Sequence, residues 1–203
     1  MSAVALAAVA GGAAGIRAQG LADLRAMRAV LDVPLIGLLK VGDGEVFITP
    51  TVDDCEAVAR TGCEIVALDG TTRPRPDGST LKDCFDAIHA LGGLVMADCG
   101  SPEDATASLA AGADILGTTL GGYTDSRPRT AGPDFDLLSE LLHLSDRPVL
   151  AEGRVRTPAD AAHCLELGAH AVVVGTAITH PTSITRDFVS VLRHQAAVPE
   201  IID

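Results

Sequence analysis

Short apolar segments alternate with longer amphipathic segments along the chain. The apolar segments span four to six residues, as is typical of parallel strands buried on both faces of a sheet. The predicted strands are Gly15–Ala18, Leu35–Lys40, Ile65–Asp69, Leu94–Asp98, Ile115–Thr118, Pro148–Glu152 and Ala171–Val174. Between them, apolar residues recur at helical spacing, which predicts helices over Leu21–Val30, Val52–Arg60, Leu81–Leu91, Pro102–Ala111, Phe135–Leu144, Pro158–Leu167 and Thr182–His194. The pattern indicates repeated strand–helix units.

Such a repeat is compatible with a (β/α)8 barrel and with a doubly wound sheet. The polar residues that close the strands favour the barrel, and they are Lys40, Asp69, Asp98, Thr118 and Glu152. In a barrel these strand ends converge on one mouth, where active sites lie. An open sheet does not gather five strand ends around one centre. We therefore predict an α/β fold of the (β/α)8 TIM-barrel type.

The pattern contains seven strands, whereas a complete barrel of this type has eight. The chain opens on the alanine-rich segment Met1–Ala14, which is interpreted as a helix or the remainder of one. It lacks an early positive region, so it is interpreted as part of the fold rather than as a signal peptide. We expect one barrel domain over residues 1–203, truncated at its N-terminus so that the first strand is missing.

Composition narrows the range of functions. The chain has 203 residues, enough for one domain, and its formal net charge is −12. This acidic balance argues against a nucleic-acid or anionic-membrane partner, because both need a basic surface. The five cysteines are scattered without a CxxC pair, so we expect neither disulfides nor a metal site, and a cytoplasmic location.

Charged residues at the predicted strand ends are the candidates for chemistry. Lys40 closes an apolar strand, and it is either a solvated lysine paired with an acid or a functional base or phosphate contact. Glu152 and Asp98 close two further strands, and such a ring of charges suits acid–base catalysis. Asp69 could equally cap the turn that follows it. Arg17 could clamp a substrate or pair with a carboxylate.

Two glycine-containing segments resemble an anion site. Gly153 follows Glu152, and Gly175 and Thr176 follow the last predicted strand. Barrels commonly bind phosphate between the loops after strands seven and eight through backbone N–H groups, although these glycines could also serve only as turn residues. Tyr123, the single tyrosine, lies in a loop and could form a lid or simply cover the core.

Taken together, the motifs resemble the N-acylglucosamine-6-phosphate 2-epimerase family over essentially the whole chain. The segments that carry the resemblance are 11–20 (GGAAGIRAQG), 34–40 (PLIGLLK), 46–51 (VFITPT), 65–71 (IVALDGT), 96–98 (MAD), 118–124 (TTLGGYT), 151–154 (AEGR) and 173–179 (VVGTAIT). The resemblance implies a (β/α)8 barrel that interconverts N-acetylmannosamine 6-phosphate and N-acetylglucosamine 6-phosphate in amino-sugar and sialic acid catabolism, without a cofactor.

The resemblance also implies roles for individual residues. Lys40 and Glu152 occupy the catalytic positions, where they would remove and return the C2 proton. The candidate substrate-binding residues are Arg17, Asp98, Tyr123, Gly153, Arg154, Gly175, Thr176 and His180. His180 departs from the family pattern, which usually has arginine there, and histidine cannot act as a bidentate cation toward a phosphate. The family's first strand, with its glutamine, has no counterpart here.

Three hypotheses follow from the sequence. The first is the epimerase, and the second is another phosphate-binding barrel that acts on a different phosphosugar or heterocycle. The third is an inactive truncated barrel that binds a phosphosugar or a partner chain without turnover. The resemblance further makes a homodimer plausible.

Overall fold

The computed structural model describes residues 1–196 and confirms the predicted α/β architecture. Its strands are β1 (Ile16–Gln19), β2 (Leu35–Leu38), β3 (Ile65–Asp69), β4 (Leu94–Asp98), β5 (Ile115–Gly117), β6 (Val149–Glu152) and β7 (Ala171–Val173). Its helices are α1 (Ser2–Ala10), α2 (Leu21–Arg28), α3 (Val52–Ala59), α4 (Leu81–Ala90), α5 (Pro102–Ala111), α6 (Phe135–Leu144), α7 (Pro158–Glu166), α8 (Thr176–Thr179) and α9 (Pro181–Ala196). The described chain begins with α1 and then alternates strands with helices.

The seven strands form one parallel sheet in the order β1 to β7, so each strand pairs with its neighbour in sequence. This order excludes the doubly wound alternative, in which the strand order reverses at a switch point. The register places Asp69 beside Asp98 at the carboxyl ends of β3 and β4. The sheet curls into a nearly closed barrel whose edge strands, within residues 1–196, are β1 and β7.

Two apolar layers hold the sheet. The outer layer lies between the sheet and the helices and includes Leu24, Val58, Phe85 and Leu137, which are fully buried. The inner layer fills the barrel with side chains such as Met96. Strands β2 and β5 are buried along their whole length and are continuously apolar, as expected where both faces of a parallel sheet are covered. All five cysteines are buried and belong to the apolar core.

Local sequence explains most element boundaries. Thr80 and Thr157 form capping boxes at the starts of α4 and α7, since each hydroxyl accepts from the N3 backbone and the N3 aspartate accepts in return. Two differences from the prediction bear on the site, whereas several other limits shift by only one or two residues. Strand β2 ends at Leu38, so Lys40 lies beyond it, and the single predicted last helix is preceded by the separate short helix α8.

No helix within the described residues is long and apolar enough to cross a membrane.

Candidate active site

A cavity of about 560 Å³ opens at the carboxyl ends of the strands. Seven of the ten predicted site residues line it, namely Lys40, Tyr123, Glu152, Gly153, Arg154, Gly175 and Thr176. The other three, Arg17, Asp98 and His180, are not part of its wall. The barrel therefore brings residues from widely separated loops to one mouth, as the strand-end pattern predicts.

An ion cluster lies next to the cavity. Arg17 on β1 makes two parallel hydrogen bonds to Asp98 on β4, with Nη1–Oδ1 at 3.0 Å and Nη2–Oδ2 at 2.6 Å. Its Nη1 also lies 3.0 Å from Oε2 of Glu152 on β6. The side chains of Arg17 and Asp98 are 7% and 0% exposed. Bidentate pairing of this kind fixes the guanidinium plane, so Arg17 holds a constant position beside Glu152.

Glu152 is the member of this cluster that reaches the cavity, and its side chain is 19% exposed. Burial raises the pKa of Glu152 to about 7, because the charged carboxylate loses solvent; Arg17 opposes this effect and the charge of Asp98 adds to it. Although its Oε2 lies close to Arg17, it makes no hydrogen bond of good geometry with any described residue. The contact with Arg17 is thus ionic only. Such a carboxyl can both accept and donate a proton near neutral pH.

Thr118, which closes a predicted strand, and Thr119, which sequence reasoning did not select, secure the cluster. The Thr119 hydroxyl donates to Asp98 Oδ1 at 2.7 Å, and Thr119 also lines the cavity. The Thr118 hydroxyl accepts from the Glu152 N–H at 3.0 Å and donates to the Glu152 carbonyl at 2.9 Å. The segment after β5 therefore holds the side chain of Asp98 and the backbone of Glu152. The position of the two threonines directly after a strand was the available signal.

Lys40 is held at the mouth by the segment that follows it. Lys40 and Ile48 form an antiparallel bridge, and the Val41 N–H donates to the Phe47 carbonyl at 2.9 Å. The Lys40 Nζ lies 6.0 Å from the centre of the Phe47 ring. Among the described side chains Lys40 has no salt bridge within 4.0 Å, so the structure does not favour the reading of Lys40 as a lysine paired with an acid.

Asp69 has a structural role. Its Oδ1 accepts from the N–H and hydroxyl of Thr71 at 2.9 and 2.6 Å, and its Oδ2 lies 2.8 Å from Arg73 Nη2. This is an aspartate that organises the following turn, as one of the two interpretations from sequence expected. Arg73 in turn lines the cavity, and sequence reasoning did not single it out.

Backbone groups dominate the wall near β6 and β7. Gly153 has φ of +106° and Arg154 has φ of +58°, so the chain turns sharply into the left-handed region directly after Glu152. Within residues 1–196, the backbone N–H groups of Gly153, Gly175 and Thr176 donate to no other protein group. All three residues line the cavity. Unoccupied N–H groups facing a cavity are suited to an anion.

Arg154 organises a loop. Its Nε donates to the Gly132 carbonyl at 2.9 Å, Nη1 to the Gly121 carbonyl at 2.8 Å and Nη2 to the Thr130 hydroxyl at 2.8 Å. Tyr123, half exposed, lies between its guanidinium at 5.2 Å and that of Arg129 at 4.9 Å. Cation–π contacts of this length are favourable, so Arg154 and Tyr123 position the 121–132 loop over the mouth.

His180 does not line the cavity. Its Nδ1 lies 2.7 Å from the Ser183 hydroxyl and accepts from the Ser183 N–H at 3.3 Å, in the first turn of α9. The imidazole thus fills the place of a helix N-cap acceptor. Sequence reasoning missed this role, because it predicted neither α8 nor a helix that begins at Pro181, directly after His180.

The cavity wall is positively charged although the chain is acidic. Five cations and two carboxylates line it, for a net charge of 5 − 2 = +3: Lys40, Arg73, Arg129, Arg154 and Arg156 against Glu45 and Glu152. The whole chain, by contrast, has a formal net charge of −12. A cavity whose wall carries charges of one sign raises the local concentration of ligands of the opposite charge. The wall is therefore suited to an anionic ligand. Groups of three or more potential metal ligands do not occur in the described part of the chain.

Comparison with known proteins places these features in a family. A sequence model described as "Putative N-acetylmannosamine-6-phosphate epimerase" matches residues 1–194. A relative from Cutibacterium acnes, named "Putative N-acetylmannosamine-6-phosphate 2-epimerase", is 49% identical over 196 residues. The match covers 95% of this chain and 86% of the relative. One from Corynebacterium glutamicum is 49% identical over 193 residues, covering 93% and 83%.

Solved structures agree. The N-acetylmannosamine-6-phosphate 2-epimerase from Clostridium perfringens superimposes with a TM-score of 0.91 and 43% identity, covering 94% of this chain and 84% of that chain. A 3-hexulose-6-phosphate synthase, 20% identical with a TM-score of 0.65, shares the fold. The family match over nearly the whole chain and the nearly closed barrel agree with each other. This chain belongs to the N-acetylmannosamine-6-phosphate epimerase family.

Proposed function

We propose that this protein interconverts N-acetylmannosamine 6-phosphate and N-acetylglucosamine 6-phosphate. The observation that carries the proposal is that Lys40 and Glu152, two groups able to exchange protons, line one cavity in a barrel of the epimerase family. The two sugars differ only in configuration at C2. Two acid–base groups that face C2 from opposite sides are sufficient to invert it.

The chemistry follows from the acidity of the C2 proton, which lies next to the aldehyde of the open-chain sugar. One group takes this proton, and the C–H electron pair forms a C1–C2 double bond while O1 gains the negative charge. The second group then delivers a proton to the opposite face of C2, and the carbonyl re-forms. In the reverse reaction the two groups exchange roles, so the total number of protons on the pair is the same in both directions.

The cluster beside Glu152 supports one of these roles for it. The raised pKa near 7 lets the carboxyl take up and release a proton at neutral pH. We assign positioning roles to Arg17 and Asp98, because they pair with each other outside the cavity wall and set the orientation and charge around Glu152. The positive wall and the unoccupied N–H groups of Gly153, Gly175 and Thr176 support an anionic phosphate end for the substrate.

The test is proton NMR of the purified chain with N-acetylmannosamine 6-phosphate in D₂O. Wild-type protein is expected to incorporate deuterium at C2 and to produce the gluco epimer. Lys40→Ala is expected to lose both. Lys82→Ala is the matched control, because Lys82 is the only other lysine and lies on α4, where it pairs with Asp86.

The outcomes separate the hypotheses. Wild-type protein without exchange would refute the epimerase, and binding of the sugar without exchange would instead favour the inactive barrel. Turnover of other phosphosugars but not of the N-acyl sugar would favour the second barrel hypothesis. Exchange that survives Lys40→Ala would leave the epimerase intact and remove Lys40 from the mechanism.

Assembly and location stay predictions. We expect a homodimer, and light scattering after size exclusion would then give twice the 20.7 kDa chain mass. A cytoplasmic location would be tested by fractionation of cells that produce the protein. Either result leaves the proposed reaction unchanged.

A further inference from the structure

The five cations of the cavity wall differ in what they already bind. Arg73 Nη2 lies 2.8 Å from Asp69 Oδ2. Arg154 donates from three nitrogens to the 121–132 loop. The guanidinium of Arg129 stacks on the Tyr123 ring at 4.9 Å. Lys40 is assigned to proton transfer above. These four cations thus have partners or roles that limit their use by a further charged ligand.

Arg156 is the exception. In the part of the chain whose side chains are described, its guanidinium takes part in no salt bridge and no hydrogen bond. It is exposed and lines the cavity together with Gly175 and Thr176. An arginine without a protein partner at a cavity wall keeps all five donors available.

The backbone of Arg156 is nevertheless fixed. Its N–H donates to Asp160 Oδ2 at 3.1 Å, and the next residue, Thr157, is the cap of α7 and donates its N–H to the same oxygen at 2.9 Å. Asp160 also donates its own N–H to the Thr157 hydroxyl at 3.1 Å. The side chain therefore starts from a rigid point on the wall, and only its own torsions must be ordered when a ligand binds.

We propose that Arg156 binds the phosphate of the substrate and selects the phosphorylated sugar over the free sugar; this inference rests on the proposed function. A phosphate monoester carries nearly two negative charges at pH 7. Backbone N–H groups alone leave that charge uncompensated, whereas a guanidinium supplies a full charge and a bidentate match to two phosphate oxygens. Its exposure lets it reach the phosphate without first breaking a protein contact.

Kinetics with two substrates test the assignment. For N-acetylmannosamine 6-phosphate, Arg156→Ala is expected to raise KM at least about tenfold, as for loss of a charged hydrogen bond, and to leave kcat near the wild-type value. Arg156→Lys should show an intermediate rise in KM, because lysine keeps the positive charge but cannot bind two phosphate oxygens in the bidentate manner of a guanidinium. For free N-acetylmannosamine the variants should match wild type, since the phosphate is absent.

Arg147→Ala is the matched control. Arg147 is exposed and precedes β6, at the other end of that strand from Arg156, so its loss changes the net charge equally without touching the cavity. It should leave both KM values unchanged. An unchanged KM of Arg156→Ala for the phosphorylated sugar, or an equal loss for both sugars, would overturn the inference.

Calorimetry with inorganic phosphate separates this inference from the proposed function. Wild-type protein should bind phosphate, and Arg156→Ala should bind it at least about tenfold more weakly. This measurement needs no turnover, so an inactive wild type would refute the epimerase and still leave Arg156 open to test. Equal binding by wild type and Arg156→Ala, or no binding by wild type, would refute the role of Arg156.

Discussion

The raised pKa of Glu152 predicts an unusual dependence of stability on pH. Burial favours the neutral carboxyl in the folded protein and moves its pKa from the ordinary 4.5 to about 7, with a smaller contribution from Asp98 and opposition from Arg17. Between these values the folded protein holds a proton that the unfolded chain has released. Because the unfolded chain binds fewer protons, the free energy of unfolding falls as the pH rises.

The size of this effect follows from the two pKa values. A difference of one in pKa corresponds to about 1.4 kcal/mol, so a pKa moved from 4.5 to about 7 corresponds to about 3 kcal/mol. The contribution is fully present below pH 4.5 and is lost as the pH rises through about 7. Since the Glu152 side chain is 19% exposed, solvent screening reduces this value only in part.

The assay is urea unfolding of wild type and Glu152→Gln at a series of pH values from 4.5 to 8. Glutamine has a similar shape and does not titrate, so subtraction of the two curves removes the other titrating groups. The wild-type free energy of unfolding, relative to Glu152→Gln, should fall by about 3 kcal/mol across this range.

A matched variant, Glu166→Gln, should show no such fall, because Glu166 is 72% exposed on α7. A difference between wild type and Glu152→Gln that stays constant with pH would refute the raised pKa. A lowered pKa of Glu152 would instead appear, in measurements extended below pH 4.5, as a difference that rises with pH. It would mean that Arg17 outweighs burial.

Two further predictions concern the groups around this site. Asp98→Asn removes a charge that raises the pKa of Glu152, so the acidic limb of the kcat/KM profile should move to lower pH; a limb that stays in place would contradict the coupling. Gly122→Ala should lower the free energy of unfolding by at least about 1 kcal/mol, since Gly122 has φ of +72° and an added Cβ would lie 2.5 Å from the Arg129 Cα. Urea unfolding checks this, with Gly132→Ala as control because nothing lies within 4 Å there; equal losses would refute the close approach.

Much of the fold was predictable because it depends on local patterns. The strands β3 and β4 and the helices α5 and α6 have the predicted limits, since apolar runs, capping residues and helical spacing act within a few residues of each other. The limits of β2 and the short α8 were not predictable in this way. Lys40 leaves the strand because the 46–49 segment returns and bridges to it, a contact that the apolar run does not encode.

The sequence by itself determined the strand–helix order of the barrel and the position of Glu152 at its mouth, because the carboxyl ends of parallel strands converge whatever their side chains contact. The position of Lys40 at the same mouth depends in addition on its bridge to Ile48, beyond the end of β2. Only the tertiary structure decided which partners these side chains have. Arg17 pairs with Asp98 from 81 positions away, His180 contacts Ser183, and Arg156 keeps no partner among the described side chains. Such partners depend on strand register and loop paths, which bring together groups whose spacing along the chain carries no information about their distance in space.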